Sequence, residues 1–261
     1  MENSWQQRLR SRLYPFYERL PAGLRNGSRR IFNLLQHPTL SARSHWIQYQ
    51  YTDFGLEQRR RVFLEIARFA HINRPLEGYY LEFGSHEANT MRMAWDNFQH
   101  LFDWHFVAFD SFAGLPEIAA IDQQPIWKKG KLKTAEEDFI GICVDHGMPR
   151  DRLTTIRGFF DDSLKPELRE RLLPRKAAVI YIDCDLYQST VPVLKFIKDF
   201  LQQGTVIVFD DWNCFYADPD RGERRAWREF CIENPQLKFE PFVQTGMQMS
   251  FIHIGTDGSN V

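Results

Sequence analysis

Residues 179–190 read VIYIDCDLYQST. An apolar run ends in two carboxylates, Asp183 and Asp185, followed by an aromatic residue and two hydroxyls. Such an uninterrupted run suits a strand covered on both faces of a sheet. A carboxylate at its tip is costly to desolvate unless something pairs with it or binds it. In an open α/β sheet, ligands bind outside the carboxyl ends of the strands. The stretch therefore predicts a parallel strand that ends at a ligand site.

The pattern repeats on both sides. GYYLEFG (78–84), WHFVAFD (104–110), RLTTIRG (152–158), AAVIYID (177–183) and TVIVFDD (205–211) read as strands. Helical patterns lie before and between them. LEQRRRVFLEIARFAHI (56–72) places Val62, Ile66, Phe69 and Ala70 on one face. ANTMRMAWDNFQHLF (88–102) follows. TAEEDFIGICVDHG (134–147) opens with a capping box, Thr134 to Glu137. TVPVLKFIKDFLQQG (190–204) has Pro192 in its first turn and Gly204 as its stop. RGERRAWREFCIEN (221–234) is the last. LKFEPFV (237–243) and MQMSFIHI (247–254) read as strands joined by the turn QTG.

Alternating strands and helices predict βαβ units in three layers. The expected fold is α/β and Rossmann-like, with a mainly parallel seven-stranded sheet closed by a C-terminal antiparallel hairpin. By fold analogy this is the plan of a class I methyltransferase.

The chain has 261 residues, 43% hydrophobic and 26% charged, enough for a sizeable core. Its net charge of −1 gives no global field for nucleic acid. Cys143, Cys184, Cys214 and Cys231 form no CxxC pair, which suits a reducing, cytoplasmic setting. No run approaches the roughly 20 apolar residues of a membrane span. Residues 1–45 read as a basic extension, with Arg8, Arg10, Arg12, Arg19, Arg25, Arg29 and Arg30 among Trp5, Leu9, Leu13, Tyr14, Phe16 and Tyr17. It lacks the apolar core of a secretory signal. It is expected to dock on the chain itself, on a partner subunit of a homo-oligomer, or peripherally on the anionic inner face of a membrane. Residues 46–261 read as the enzyme domain.

Acids mark the strand tips. Glu82 ends the first strand, with Gly84 just after it, and Asp110 ends the second. A glycine there permits close backbone approach, and an acid at the second tip can accept both ribose hydroxyls. The turn EFGSHEANT has one glycine rather than G-x-G-x-x-G, and Glu82 and Glu87 would repel phosphates. A nucleoside without phosphate fits, and S-adenosylmethionine is such a ligand. Asp183, Asp210 and Asp211 offer hard oxygen donors from adjacent strand ends, suited to Mg²⁺, Ca²⁺ or Mn²⁺ rather than zinc. Asp185 falls near the start of the next helix, where acid is favoured, and reads as structural.

Together YLEFGSHEANT, FVAFDSFAGLP, IRGFFDDSL, YIDCDLYQST and VIVFDDW make residues 50–230 resemble the macrocin and mycinamicin O-methyltransferase family. The resemblance implies a Mg²⁺-dependent, S-adenosylmethionine-using enzyme acting on sugar hydroxyls of natural products. It implies Asp183, Asp210 and Asp211 as metal ligands. Glu82, Gly84, Ser85, Asp110 and Ser111 would line the cofactor site, with Gly158 and Phe159 near adenine. The family's first loop usually continues with a glycine pair where this chain has Ala88 and Asn89.

The expected chemistry is metal-assisted methyl transfer to a hydroxyl of a small molecule or glycan, with Asp183 as the catalytic carboxylate. His86 and His146 are candidate auxiliary bases. The loop near 114–133 carries Trp127, Lys128, Lys129 and Lys131, which could meet an acceptor sugar. Tyr49 and Tyr51 could cover the cofactor. The competing reading is a nucleoside-binding scaffold without turnover; a metal phosphohydrolase fits less well.

Overall fold

Seven strands form one sheet in the order β3-β2-β1-β4-β5-β7-β6. They are β1 (Tyr79–Phe83), β2 (His105–Asp110), β3 (Leu153–Arg157), β4 (Ala177–Ile182), β5 (Val206–Phe209), β6 (Leu237–Gln244) and β7 (Met249–Thr256). The first five run parallel; β7 is antiparallel to both β5 and β6. The computed structural model describes residues 42–73 and 76–256. The described residues fall into two units, one up to Leu56 and one from Glu57 on. In the first, Ala42–Trp46 is α-helical and Ile47–Tyr51 π-helical. The basic extension, with its expected membrane or subunit contact, lies almost wholly outside the described residues.

Helices α1 (Thr52–Ile72), α2 (Asn89–Phe98) and α3 (Glu136–Asp145) cover one face of the sheet. Helices α4 (Pro166–Leu172), α5 (Tyr187–Ile197) and α6 (Gly222–Glu233) cover the other. Strand alternation produces this sorting. Tyr80, Ala108, Tyr181 and Val208 pack with Val62, Phe63 and Ile66 of α1. Leu81, Phe109, Ile182 and Phe209 pack with Val193 of α5 and Trp227 of α6.

Four local expectations change. The helix expected over 56–72 starts at Thr52. The helix expected over 88–102 ends at Phe98. Helix α3 starts at Glu136, and no side-chain cap forms at its N-terminus. Thr134 instead accepts the Glu87 N–H at 3.0 Å and bonds His86 Nδ1 at 2.9 Å, so it ties down the loop after β1. Helix α5 starts at Tyr187, which puts Pro192 inside it, and it ends well before Gly204.

Candidate active site

A cavity of about 360 Å³ opens at the carboxyl ends of β1, β2 and β4. Gly84, Ser85, Asp110, Ser111, Gly158 and Phe159 line one part of it, and Asp183, Asp185, Asp211 and Arg59 another.

The first part is built from backbone. Gly84 sits at φ +86°, and a Cβ there would lie 1.9 Å from the Asp183 carbonyl oxygen. What comes close to this glycine is thus the tip of β4, which it allows to pair with β1. Asp110 Oδ2 accepts the Ser85 N–H at 2.8 Å, and Oδ1 accepts the Phe112 N–H at 2.6 Å. A carboxylate has about four acceptor positions, so two remain for ligand hydroxyls. Burial pushes the Asp110 carboxyl up, against the pull of those backbone N–H groups. Ser111 Oγ donates to the Gly114 carbonyl at 2.8 Å and so shapes the rim. Ser85 Oγ is buried, with the Glu82 carboxylate as its neighbour. Phe159 keeps 41% of its surface exposed, leaving a free ring face.

Glu82 departs from expectation. Its side chain follows Tyr80 toward the α1–α3 layer and is not part of the cavity wall. Its carboxylate accepts hydrogen bonds from Tyr80 Oη at 2.5 Å and Thr90 Oγ1 at 3.0 Å. It braces β1 against α2. Burial, opposed by those two hydrogen bonds, pushes its carboxyl up to about 7.

At the second part, Asp183 and Asp211 on the wall and the buried Asp210 behind it each present an oxygen within 4.8 Å of the others. Asp210 continues the alternation of Val206 and Val208 and faces α1. There Arg59 grips it with Nε to Oδ1 at 2.9 Å and Nη2 to Oδ2 at 2.5 Å. Tyr181 Oη and Gln248 Nε2, the latter at 3.2 Å, also donate to Oδ1. Asp211 Oδ2 accepts the Asp185 N–H at 3.1 Å, and its own N–H donates to Glu223 Oε2 at 3.0 Å. Glu223 is buried, and its Oε1 has no hydrogen-bond partner among the described residues.

This is a crowded set of acids facing one guanidinium. Burial, then Asp210 and Asp211, pushes the Asp183 carboxyl well up. Burial and neighbouring carboxylates do the same to Asp211 and Glu223. Burial opposes the charge on Arg59, but the pairing with Asp210 overrides it and raises its pKa. Hard oxygens, an uncompensated excess of acid and an orphaned carboxylate oxygen fit a hard dication. No histidine lies in the cluster.

Asp185 was read as a helix-start acid, yet it lines the cavity. Its residue has φ +60°. Its Oδ1 accepts the Trp127 indole N–H at 2.8 Å, and burial pushes its carboxyl up to about 6. The α5 cap comes from a residue the sequence reading missed. Asp122, fully buried, accepts the Tyr187 N–H at 2.8 Å and the Gln188 N–H at 3.1 Å. Only its place in a loop of apparently ordinary composition concealed it.

The loop residues also sort differently. Trp127 is buried against Leu186 and Phe215, so it offers no face to a sugar. Lys128, Lys129 and Lys131 are exposed, with Lys129 paired to Glu117. His86 lines the cavity, whereas His146 pairs with Asp96 away from it. Tyr51 is exposed, and the side chain of Tyr49 lies outside the described residues. The four cysteines are unbonded.

The strand order, the antiparallel closing pair and a cavity at the parallel strand tips define a class I methyltransferase fold. The O-methyltransferase NovP shares it, with a TM-score of 0.62 at 19% identity over 76% of this chain and 80% of that one. The calicheamicin methyltransferase CalS11 shares it with a TM-score of 0.59 at 17% identity, over 89% and 94%. An 8-demethyl-8-(2,3-dimethoxy-alpha-L-rhamnosyl)-tetracenomycin-C 4'-O-methyltransferase from Streptomyces olivaceus is 30% identical over 109 residues. That match spans 40% of each chain. A model of the macrocin-O-methyltransferase (TylF) family matches residues 74–237. The chain belongs to the macrocin-O-methyltransferase family.

Proposed function

We propose that this protein transfers a methyl group from S-adenosylmethionine to a hydroxyl of a glycosylated natural product, and that it needs Mg²⁺. The observation that carries the reading is the two-part cavity. A nucleoside-type pocket around Asp110 and Phe159 adjoins a carboxylate cluster around Asp183 and Asp211.

Each residue has a task. Asp110 holds ribose hydroxyls with its remaining acceptor positions. Phe159 offers a ring face to the adenine. The acidic wall favours a sulfonium over a phosphate. Asp183, Asp210 and Asp211 would hold the metal. When bound, the dication supplies Lewis acidity that eases ionisation of an acceptor hydroxyl. Asp183 and Asp185 lie at the same end of the cavity and can take up the hydroxyl proton. Asp185, oriented by Trp127 and free of a metal-holding duty, is the better placed of the two. With both ligands bound, the cavity would hold acceptor and cofactor side by side, and such orientation would supply much of the rate. The Streptomyces relative is a 4'-O-methyltransferase of a rhamnosyl-tetracenomycin, which supports a sugar hydroxyl as the acceptor.

The test is transfer of labelled methyl from S-adenosylmethionine to a panel of glycosylated natural products that includes rhamnosyl-tetracenomycins. Transfer that stops with chelator and returns with Mg²⁺ is expected. Tight cofactor binding with no transfer to any member would favour the scaffold reading.

A further inference from the structure

Asp210 is held in an unusual way for a metal ligand. Arg59 makes two parallel N–H bonds, one to each carboxylate oxygen, at 2.9 and 2.5 Å. Such a fork occupies the edge of the carboxylate on which both oxygens face one partner. A metal chelated by both oxygens needs that same edge. Tyr181 and Gln248 crowd the far side of Oδ1. Oδ2 has no such additional donor among the described residues, so Asp210 is left with one oxygen for a cation.

This restriction has chemical content. Mg²⁺ takes a near-ideal octahedron of single oxygens, whereas Ca²⁺ accepts six to eight oxygens and welcomes carboxylates that bind through both. We propose that Arg59 sets the metal selectivity of this site: by forking onto Asp210 it denies two-oxygen chelation and so favours Mg²⁺ over Ca²⁺. The inference rests on the metal reading above. Arg59 also sits on the cavity wall, so its charge faces the same space as Asp183 and Asp211. Arg59 is thus a positioning residue supplied by α1, an element outside the strand-tip motifs.

The test is titration calorimetry of the full chain with Mg²⁺ and, separately, Ca²⁺, without cofactor or acceptor. Three proteins are compared: wild type, Arg59→Lys and Arg59→Gln. Lysine keeps the charge but cannot fork. Both variants are expected to lower the ratio of the Ca²⁺ to the Mg²⁺ dissociation constant, by about tenfold or more in Arg59→Gln. Arg59→Gln should also bind both ions more tightly, because a positive charge is gone. Circular dichroism checks that each variant folds, and Arg59→Lys decides the matter if Arg59→Gln does not. An unchanged ratio in a folded Arg59→Lys would overturn the fork argument while leaving the metal site intact. Failure of the wild type to bind either ion would instead overturn the metal reading itself.

Discussion

Glu87 and Ala88 lie in the loop after β1 with φ of 56° and 53°. Left-handed backbone costs an L-residue roughly 1–2 kcal/mol, and glycine escapes that cost. The family's glycine pair is expected at Ala88 and Asn89; here Ala88 is left-handed while Asn89 is already helical, with φ −64°. Ser85 and Asp110, tied together by one hydrogen bond, and Thr134, bonded to the Glu87 N–H, hold the loop in place. The exposed Glu87 can lose its side chain at little cost. Glu87→Gly is expected to stabilise the fold by about 1 kcal/mol in urea unfolding, and Glu87→Ala is not. Glu82 yields a pH effect. Its carboxyl sits at about 7 in the fold, above the ordinary 4.5, so the folded chain holds this proton more tightly than the unfolded one. That contribution is full below about pH 4.5 and lost as pH rises toward 7. Glu82→Gln removes it. Urea midpoints should show the variant gaining on wild type by about 1.4 kcal/mol per pH unit crossed in that window, then no further.

At the scale of elements, the strands and most helices were readable from apolar runs and 3.6-residue spacing, because burial on both sheet faces writes itself into sequence. The helix starts were less readable. The Thr134–Glu137 spacing has the form of a capping box, yet Thr134 is spent on the β1 loop and α3 begins uncapped. Helix α5 begins three residues early because Asp122, about 65 residues upstream, supplies the cap. A cap delivered through tertiary structure leaves no local signature. The same loop is fastened again where Gln188 accepts the Ala119 N–H and donates to the Glu117 carbonyl. Asp122→Ala should therefore cost about 1–2 kcal/mol of unfolding free energy, at the upper end of N-cap losses because the carboxylate serves two N–H groups. A cost within a few tenths of a kcal/mol would mean that water caps α5 equally well.

For the whole molecule, strand alternation and sheet order act together. Asp210 shares a face with Tyr181 and α1, so Arg59 reaches it; Asp211 beside it and Asp183 from the neighbouring β4 tip complete the cluster. The convergence of these three was legible from the sequence, since acids ending adjacent parallel strands must meet. The partners were not: Arg59 lies 151 residues upstream of Asp210 in a helix, Gln248 lies in the turn before β7, and Glu223, although only 12 residues on from Asp211, sits in the first turn of α6, where an acid reads as ordinary. Glu82 and Asp185 show the limit of tip-counting: one strand-end acid turned inward as a brace, and one expected cap turned out to face the cavity. In the proposed function the aspartate cluster serves methyl transfer and not cofactor binding. The most direct measurement compares Asp210→Asn with wild type in labelled methyl transfer, alongside calorimetric binding of S-adenosylmethionine. Transfer should fall by about 100-fold or more while cofactor affinity stays within a few-fold. Undiminished transfer by a folded Asp210→Asn protein would contradict the claim.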